Sequence, residues 1–189
     1  MTTADESGPT APTGSGTAPP AGTRSRAWPA YAMTAAAVTA CAVVGARAVD
    51  ADSGWYRRLD KPSWQPPSWT FGAVWTPLYA SLAWAGGRAL HRTQGAERRR
   101  TALSLGANLM LNAAWNQLFF RRRSPRAGLL GTLALDLSNV ELIRRTARTD
   151  PAAARALLPY AAWCGFATAL NASLARRNPA GARRNSATD

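Results

Sequence analysis

The chain has 189 residues and a formal charge of +13, from 23 Lys and Arg against 10 Asp and Glu. A mean hydropathy of -0.21 resembles that of a soluble protein, but polar ends dilute several apolar runs, and eight tryptophans suit boundaries between oil and water. One histidine, His91, and two cysteines inside apolar runs, Cys41 and Cys164, exclude a bis-His haem, a His-based zinc site or a CxxC motif within one chain.

Residues 1–25 are Thr, Ser, Gly, Pro and Ala with almost no aliphatic side chains, so they read as a disordered tail and not as a signal peptide. Five apolar runs follow, near 28–48, 68–90, 101–120, 126–143 and 151–175, each about the 20 residues that a hydrocarbon core requires. They predict an all-α membrane protein, a five-transmembrane-helix bundle over residues 26–177, with a polar tail at 178–189. The first run is Ala-rich, with Trp28 and Tyr31 as belt residues. The fourth begins at Ser124-Pro125 and the fifth at Asp150-Pro151, each a capping side chain before a proline at the first helical position.

The first connection, near residues 49–67, is too long for mere linkage. Its WYRRLDKPSWQPP predicts a rigid aromatic lid over the helix ends. Arg98–Arg100, Arg121–Arg123 and Arg176-Arg177 abut the ends of apolar runs, where guanidinium groups snorkel to membrane lipid headgroups; no basic groove with spaced aromatics suggests nucleic acid. Basic residues divide almost evenly between the two sides, so charge gives no orientation.

Polar residues inside the runs need partners. Asn108, Asn112 and Asn116 recur at i, i+4 and i+8, an inward face bounded by Trp115 that either bonds helices together or lines a pocket. Asp136, with Asn139 one turn on, is the acid at bilayer depth, expected to bond a tryptophan or a backbone group rather than to relay protons. Pro77, near Trp75 and Tyr79, and Pro159, before Tyr160, Trp163 or Cys164, Ala167 and Asn171, are expected to kink two helices that turn aromatics inward around a flat-ring pocket.

WYRRLDKPSWQPPSWTFGAVWTPLY, LNAAWNQLFF, Asp136 and LLPYAAWCGFATALN resemble, in order and spacing, the tryptophan-rich sensory protein / translocator protein family (TspO/MBR) over residues 28–177. The resemblance implies a commonly dimeric five-helix protein of the membrane, here the bacterial cell membrane, with a pocket for porphyrins and related tetrapyrroles beneath the first connection. It places ligand contacts at Trp64, Pro66, Pro67, Trp75, Asn112, Trp115, Asn116, Trp163 and Ala167, to which the aromatic face of the second run adds Tyr79. It implies no cofactor and no metal. Trp75 and Trp163 match tryptophans associated with light-dependent porphyrin breakdown, so they are the catalytic pair if such an enzyme activity exists. Ala172 and Ser173 stand where a sterol-recognition tyrosine is found in animal members, which argues against sterol. The small-residue dimer face is displaced to Ala102 and Gly106. Three functions compete: porphyrin binding for transport or sensing, porphyrin photodegradation, and a structural bundle acting through a protein partner.

Overall fold

The computed structural model describes residues 27–179, so the tail 1–25 and all but the start of the tail 178–189 lie outside the described residues. Six helices run in chain order: α1 (Trp28–Ala46), α2 (Gly54–Arg57), α3 (Ser68–Arg92), α4 (Gly95–Asn116), α5 (Pro125–Ala147) and α6 (Pro151–Arg177). A five-residue π-helical segment, Gln117–Arg121, continues α4. α2 is one turn inside the first connection, where no helix was expected. Among the described helices only α1 is long and apolar enough to count as a membrane span by itself. The other four long helices fall short of that test: α3 is rich in Trp, Tyr and Gly and contains Pro77, α4, α5 and α6 bury Asn, Thr or Ser, and all four carry arginine.

Helix starts follow the local chemistry. Ser124 Oγ accepts from the Ala127 amide at 3.2 Å, and Asp150 Oδ1 accepts from the amides of Ala152 and Ala153 at 3.1 Å each. α3 and α6 continue through Pro77 and Pro159. Ser81 Oγ donates to the Ala156 carbonyl in the turn before Pro159, tying α3 to α6.

Packing closes the five long helices into a circuit in the order α1, α3, α6, α5, α4 and back to α1. α3 and α4 are joined only by Thr93 and Gln94 yet barely touch, because α1 lies against both. Its buried stripe, Ala30, Thr34, Val38, Cys41 and Gly45, is narrow enough to let them approach. Gly87 of α3 accepts the Tyr31 backbone so closely that a Cβ there would lie 2.9 Å from Tyr31 Cα. Leu82, Ala85, Leu105, Leu109, Leu135, Leu157 and Tyr160 form the central core. Outward, Leu103, Met110, Leu130 and Leu137 are 66–73% exposed, while Asn108, Asn112, Asn139, Thr34, Thr101 and Thr132 are buried. Polar groups inside and large apolar groups outside are the distribution a hydrocarbon solvent selects.

Candidate functional site

A second cluster forms where the first connection meets the helix ends: Trp55 and Leu59 pack with Phe119, Leu170 and Leu174, flanked by Tyr56, Phe71, Trp115 and Phe120. Trp55 meets Phe119 edge-on at 5.4 Å. The connection is also fastened to the end of α6, since the Asp60 amide donates to Asn178 Oδ1 and Asn178 Nδ2 donates to the Asp60 carbonyl, both at 3.0 Å. Beneath it opens a cavity of about 430 Å³, a size suited to a small organic ligand.

The cavity wall is drawn from α1 (Ala42, Gly45, Ala46), from α2 (Tyr56), from α3 (Ser68, Phe71, Gly72, Trp75, Tyr79), from the end of α4 and the π segment (Trp115, Asn116, Phe119, Phe120) and from α6 (Leu170, Asn171, Leu174). Trp75 stacks on Tyr79 at 5.0 Å and Trp115 on Phe119 at 6.0 Å, so the walls present flat faces. Among the described residues, none that lines it is charged. Beside one lining residue stands a cation, Lys61, whose Nζ sits 4.2 Å over the Tyr56 ring. Tyr56 accepts from Gln65 Nε2 at 3.1 Å, and burial pushes its phenol up despite that bond.

Of the residues picked from the sequence, the cavity gathers Trp75, Tyr79, Trp115, Asn116 and Asn171. Trp64 is half exposed and meets Phe166 edge-on at 5.8 Å, and Trp163 lies between Phe166 and Phe71, behind the α3 wall. Pro66, Pro67 and Ala167 do not line the cavity either; the Ala167 carbonyl accepts from Asn171 Nδ2 at 2.8 Å. Asn112 is fully buried one turn deeper than Asn116, so the asparagine face divides its labour: Asn108 and Asn112 bond helices together while Asn116 reaches the cavity. The α1 residues, Phe71 and Phe120 escaped the reading of the sequence, whereas Asn171 was placed there on the pocket face of the fifth run. Its signal was its position one turn after Ala167 on the aromatic face of α6; the alanines of α1 carried none.

Behind Tyr79 a line of hydrogen bonds crosses the core. Tyr79 Oη donates to Asn112 Oδ1 (3.1 Å), Asn112 Nδ2 to Tyr160 Oη (3.0 Å), Tyr160 Oη to Asn108 Oδ1 (3.0 Å), and Asn108 Nδ2 to Asn139 Oδ1 (2.7 Å) and Ser138 Oγ (3.2 Å). Asp136 departs from expectation: its Oδ2 accepts from Thr168 Oγ1 of α6 at 2.6 Å, not from a tryptophan or backbone group, because the tight α5–α6 contact brings that hydroxyl to it.

Comparison with known proteins gives a consistent result. The TspO/MBR family profile matches residues 32–177. The tryptophan-rich protein TspO of Chlorobaculum tepidum is 36% identical over 132 residues, 67% of this chain and 81% of that protein. The translocator protein of Homo sapiens is 35% identical over 154 residues, 79% of this chain and 90% of that protein. The tryptophan-rich sensory protein of Cereibacter sphaeroides is 30% identical over 125 residues, 66% and 77% of the two chains.

Proposed function

Because the chain belongs to the TspO/MBR family of membrane proteins, we propose that it is a tetrapyrrole-binding protein of the bacterial cell membrane with a sensing or regulatory role. A relative named as a sensory protein supports the role. The observation that carries the ligand class is the uncharged cavity of about 430 Å³ walled by Phe71, Trp75, Trp115, Phe119 and Phe120. Flat apolar rings gain contact area and stacking there, at roughly 0.5–1.5 kcal/mol per aromatic pair beyond burial. A porphyrin's carboxylates find no counter-charge inside and stay at the mouth, where Lys61 stands over Tyr56 and Arg57 and Arg58 follow.

In this reading all five long helices span the bilayer. α3 to α6 have 22–27 residues, long enough at about 1.5 Å each to cross a core of roughly 30 Å, and α4, α5 and α6 turn their asparagines inward. A homodimer through the Ala102–Gly106 face of α4 belongs to the same proposal. Photodegradation would require Trp75 and Trp163 together at the ligand, and only Trp75 lines the cavity, so binding is the reading the geometry favours.

The test is a tryptophan-fluorescence titration of the purified full chain in detergent with protoporphyrin IX. Saturable quenching in the micromolar range, about 8 kcal/mol, supports the proposal. Linear, non-saturating quenching indistinguishable from detergent partitioning would reject it.

A further inference from the structure

Between α4 and α5 the outer surface carries a groove that shares no lining residue with the cavity. Its mouth is charged, with Arg100 of α4 opposite Glu141 and Arg145 of α5, and it runs inward past Leu103 and Ser104 to Ala107 and Ser138. At that inner end Ser138 Oγ accepts from Asn108 Nδ2 at 3.2 Å, which holds the two helices together. Arg100 stands just before the apolar run at 101–120 and Arg145 just after the run at 126–143, so the groove descends from headgroup level into the hydrocarbon layer. From Arg100 to Ala107 the helical rise amounts to about 10 Å.

The two arginines of the mouth are not equivalent. Arg145 is engaged by Glu141 at Nε and Nη2 and by Glu97 at Nη1. Among the described residues the ion pair of Arg100 is with Glu97 Oε2 at 3.8 Å, too long for a hydrogen bond, and its side chain is 65% exposed. Arg100 thus keeps its donors for a ligand. Around the mouth, the ends of α4 and α5 bring together six arginines, Arg98, Arg99, Arg100, Arg144, Arg145 and Arg148, against Glu97 and Glu141. Deeper in, Leu103 and, farther along the outward faces, Met110 and Leu137 are exposed.

We propose that this groove holds an anionic phospholipid, with its phosphate on Arg100 and one acyl chain laid along Leu103 and Ala107. Such an amphiphile meets each level in order: a guanidinium for the phosphate, the Ser104 hydroxyl beside the ester zone, and short apolar side chains for the tail. The site rests on α4 and α5 crossing the bilayer and does not depend on which ligand fills the cavity. A second copy of the chain is the rival occupant, and charge argues against it, because a two-fold contact through the groove would bring two arginine-rich mouths together. Ala102 and Gly106, the dimer face named above, lie outside the lining.

The experiment is native mass spectrometry of the full chain in detergent, with phosphatidylglycerol or phosphatidylethanolamine of identical acyl chains added. Wild type is expected to retain one phosphatidylglycerol per chain about tenfold more tightly than phosphatidylethanolamine, the scale of one charge-assisted hydrogen bond. Arg100→Gln should bring that ratio to within about twofold of one, and Ala107→Phe, which fills the groove without changing charge, should release the retained lipid. Arg148→Gln, the same loss of charge at the same end but outside the groove, should keep the preference. Circular dichroism checks each fold, and the wild-type comparison stands even if a variant does not fold. Equal retention of the two lipids by wild type would overturn the proposal, as would equal loss of preference in Arg100→Gln and Arg148→Gln, which would show diffuse charge at work. A dimer turned to monomer by Ala107→Phe with phosphatidylglycerol still bound would also overturn it and give the groove to a second copy. Protoporphyrin IX titrated into Arg100→Gln should bind as it does in wild type, and a parallel loss of porphyrin and lipid would contradict the independence of groove and cavity.

Discussion

The Asp150 carboxylate caps α6 through two amides and meets Arg88 Nε at 2.7 Å, with Arg92 Nε at 3.8 Å. Burial alone would raise its pKa, but the Ala153 amide, the Arg88 guanidinium and the Ala152 amide outweigh that cost and hold it below the usual carboxylate range. A depressed folded pKa means its stabilisation is complete above the unfolded value near about 4 and fades as pH falls through the folded one. Stability against thermal unfolding in detergent should therefore fall below about pH 4 in wild type, and Asp150→Asn should flatten that part of the profile. Asp150→Ala should also lose the cap, about 1 kcal/mol; identical acid profiles in wild type and Asp150→Asn would contradict the assignment. At the cavity, Trp75→Ala is expected to weaken porphyrin binding by roughly tenfold and Trp163→Ala by less than about threefold, read from fluorescence titrations of both variants. That asymmetry could not be read from the chain: Trp163 and Cys164 lie one residue apart on one helical turn. Only the packing of α6 on α3 and α5 shows that Cys164 enters the core while Trp163 turns toward Phe71 and Phe166.

Small residues set the distances between helices. A Cβ at Gly87 would lie 2.6 Å from the Tyr31 ring and 2.9 Å from its Cα, and backbone cannot step aside as a side-chain tip can. Gly87→Ala should thus force α1 from α3 and cost about 1–3 kcal/mol. Gly72 of α3 has nothing within 4 Å of its Cβ position, so Gly72→Ala should be neutral or gain up to about 1 kcal/mol of helix propensity. Comparing midpoints of thermal or SDS-induced unfolding for the two variants checks the pair. The starts of α5 and α6 were legible because Ser124-Pro125 and Asp150-Pro151 combine a cap with a proline. The π segment was not, because one extra residue in a helix leaves no compositional trace. It appears only in the bonds from the amides of Arg122 and Ser124 back to Gln117 and Phe119. That wider turn places Phe119 and Phe120 with Trp115 and Asn116 around one cavity.

On the scale of the whole molecule, the chain departs from the soluble pattern by packing asparagine and threonine beside its leucine core and turning other large leucine, methionine and tryptophan side chains outward. The five long runs were legible because apolar stretches of helix length stand between polar, arginine-bearing ends, and the aromatic connection because tryptophan and proline crowd into it. The cavity was only half legible. Its aromatic wall announces itself in the sequence, but its α1 wall is Ala42, Gly45 and Ala46, chosen for what they leave empty. That emptiness supplies the most direct test of the account, a block by volume: Ala42→Trp puts an indole into the cavity from α1 without removing any proposed ligand contact. Protoporphyrin IX titrated into wild type and Ala42→Trp, both in detergent and both matched in helix content, should saturate at one equivalent per chain in wild type and show no saturable binding in the variant. Equal affinity and stoichiometry in the two proteins would place the porphyrin elsewhere and contradict the account.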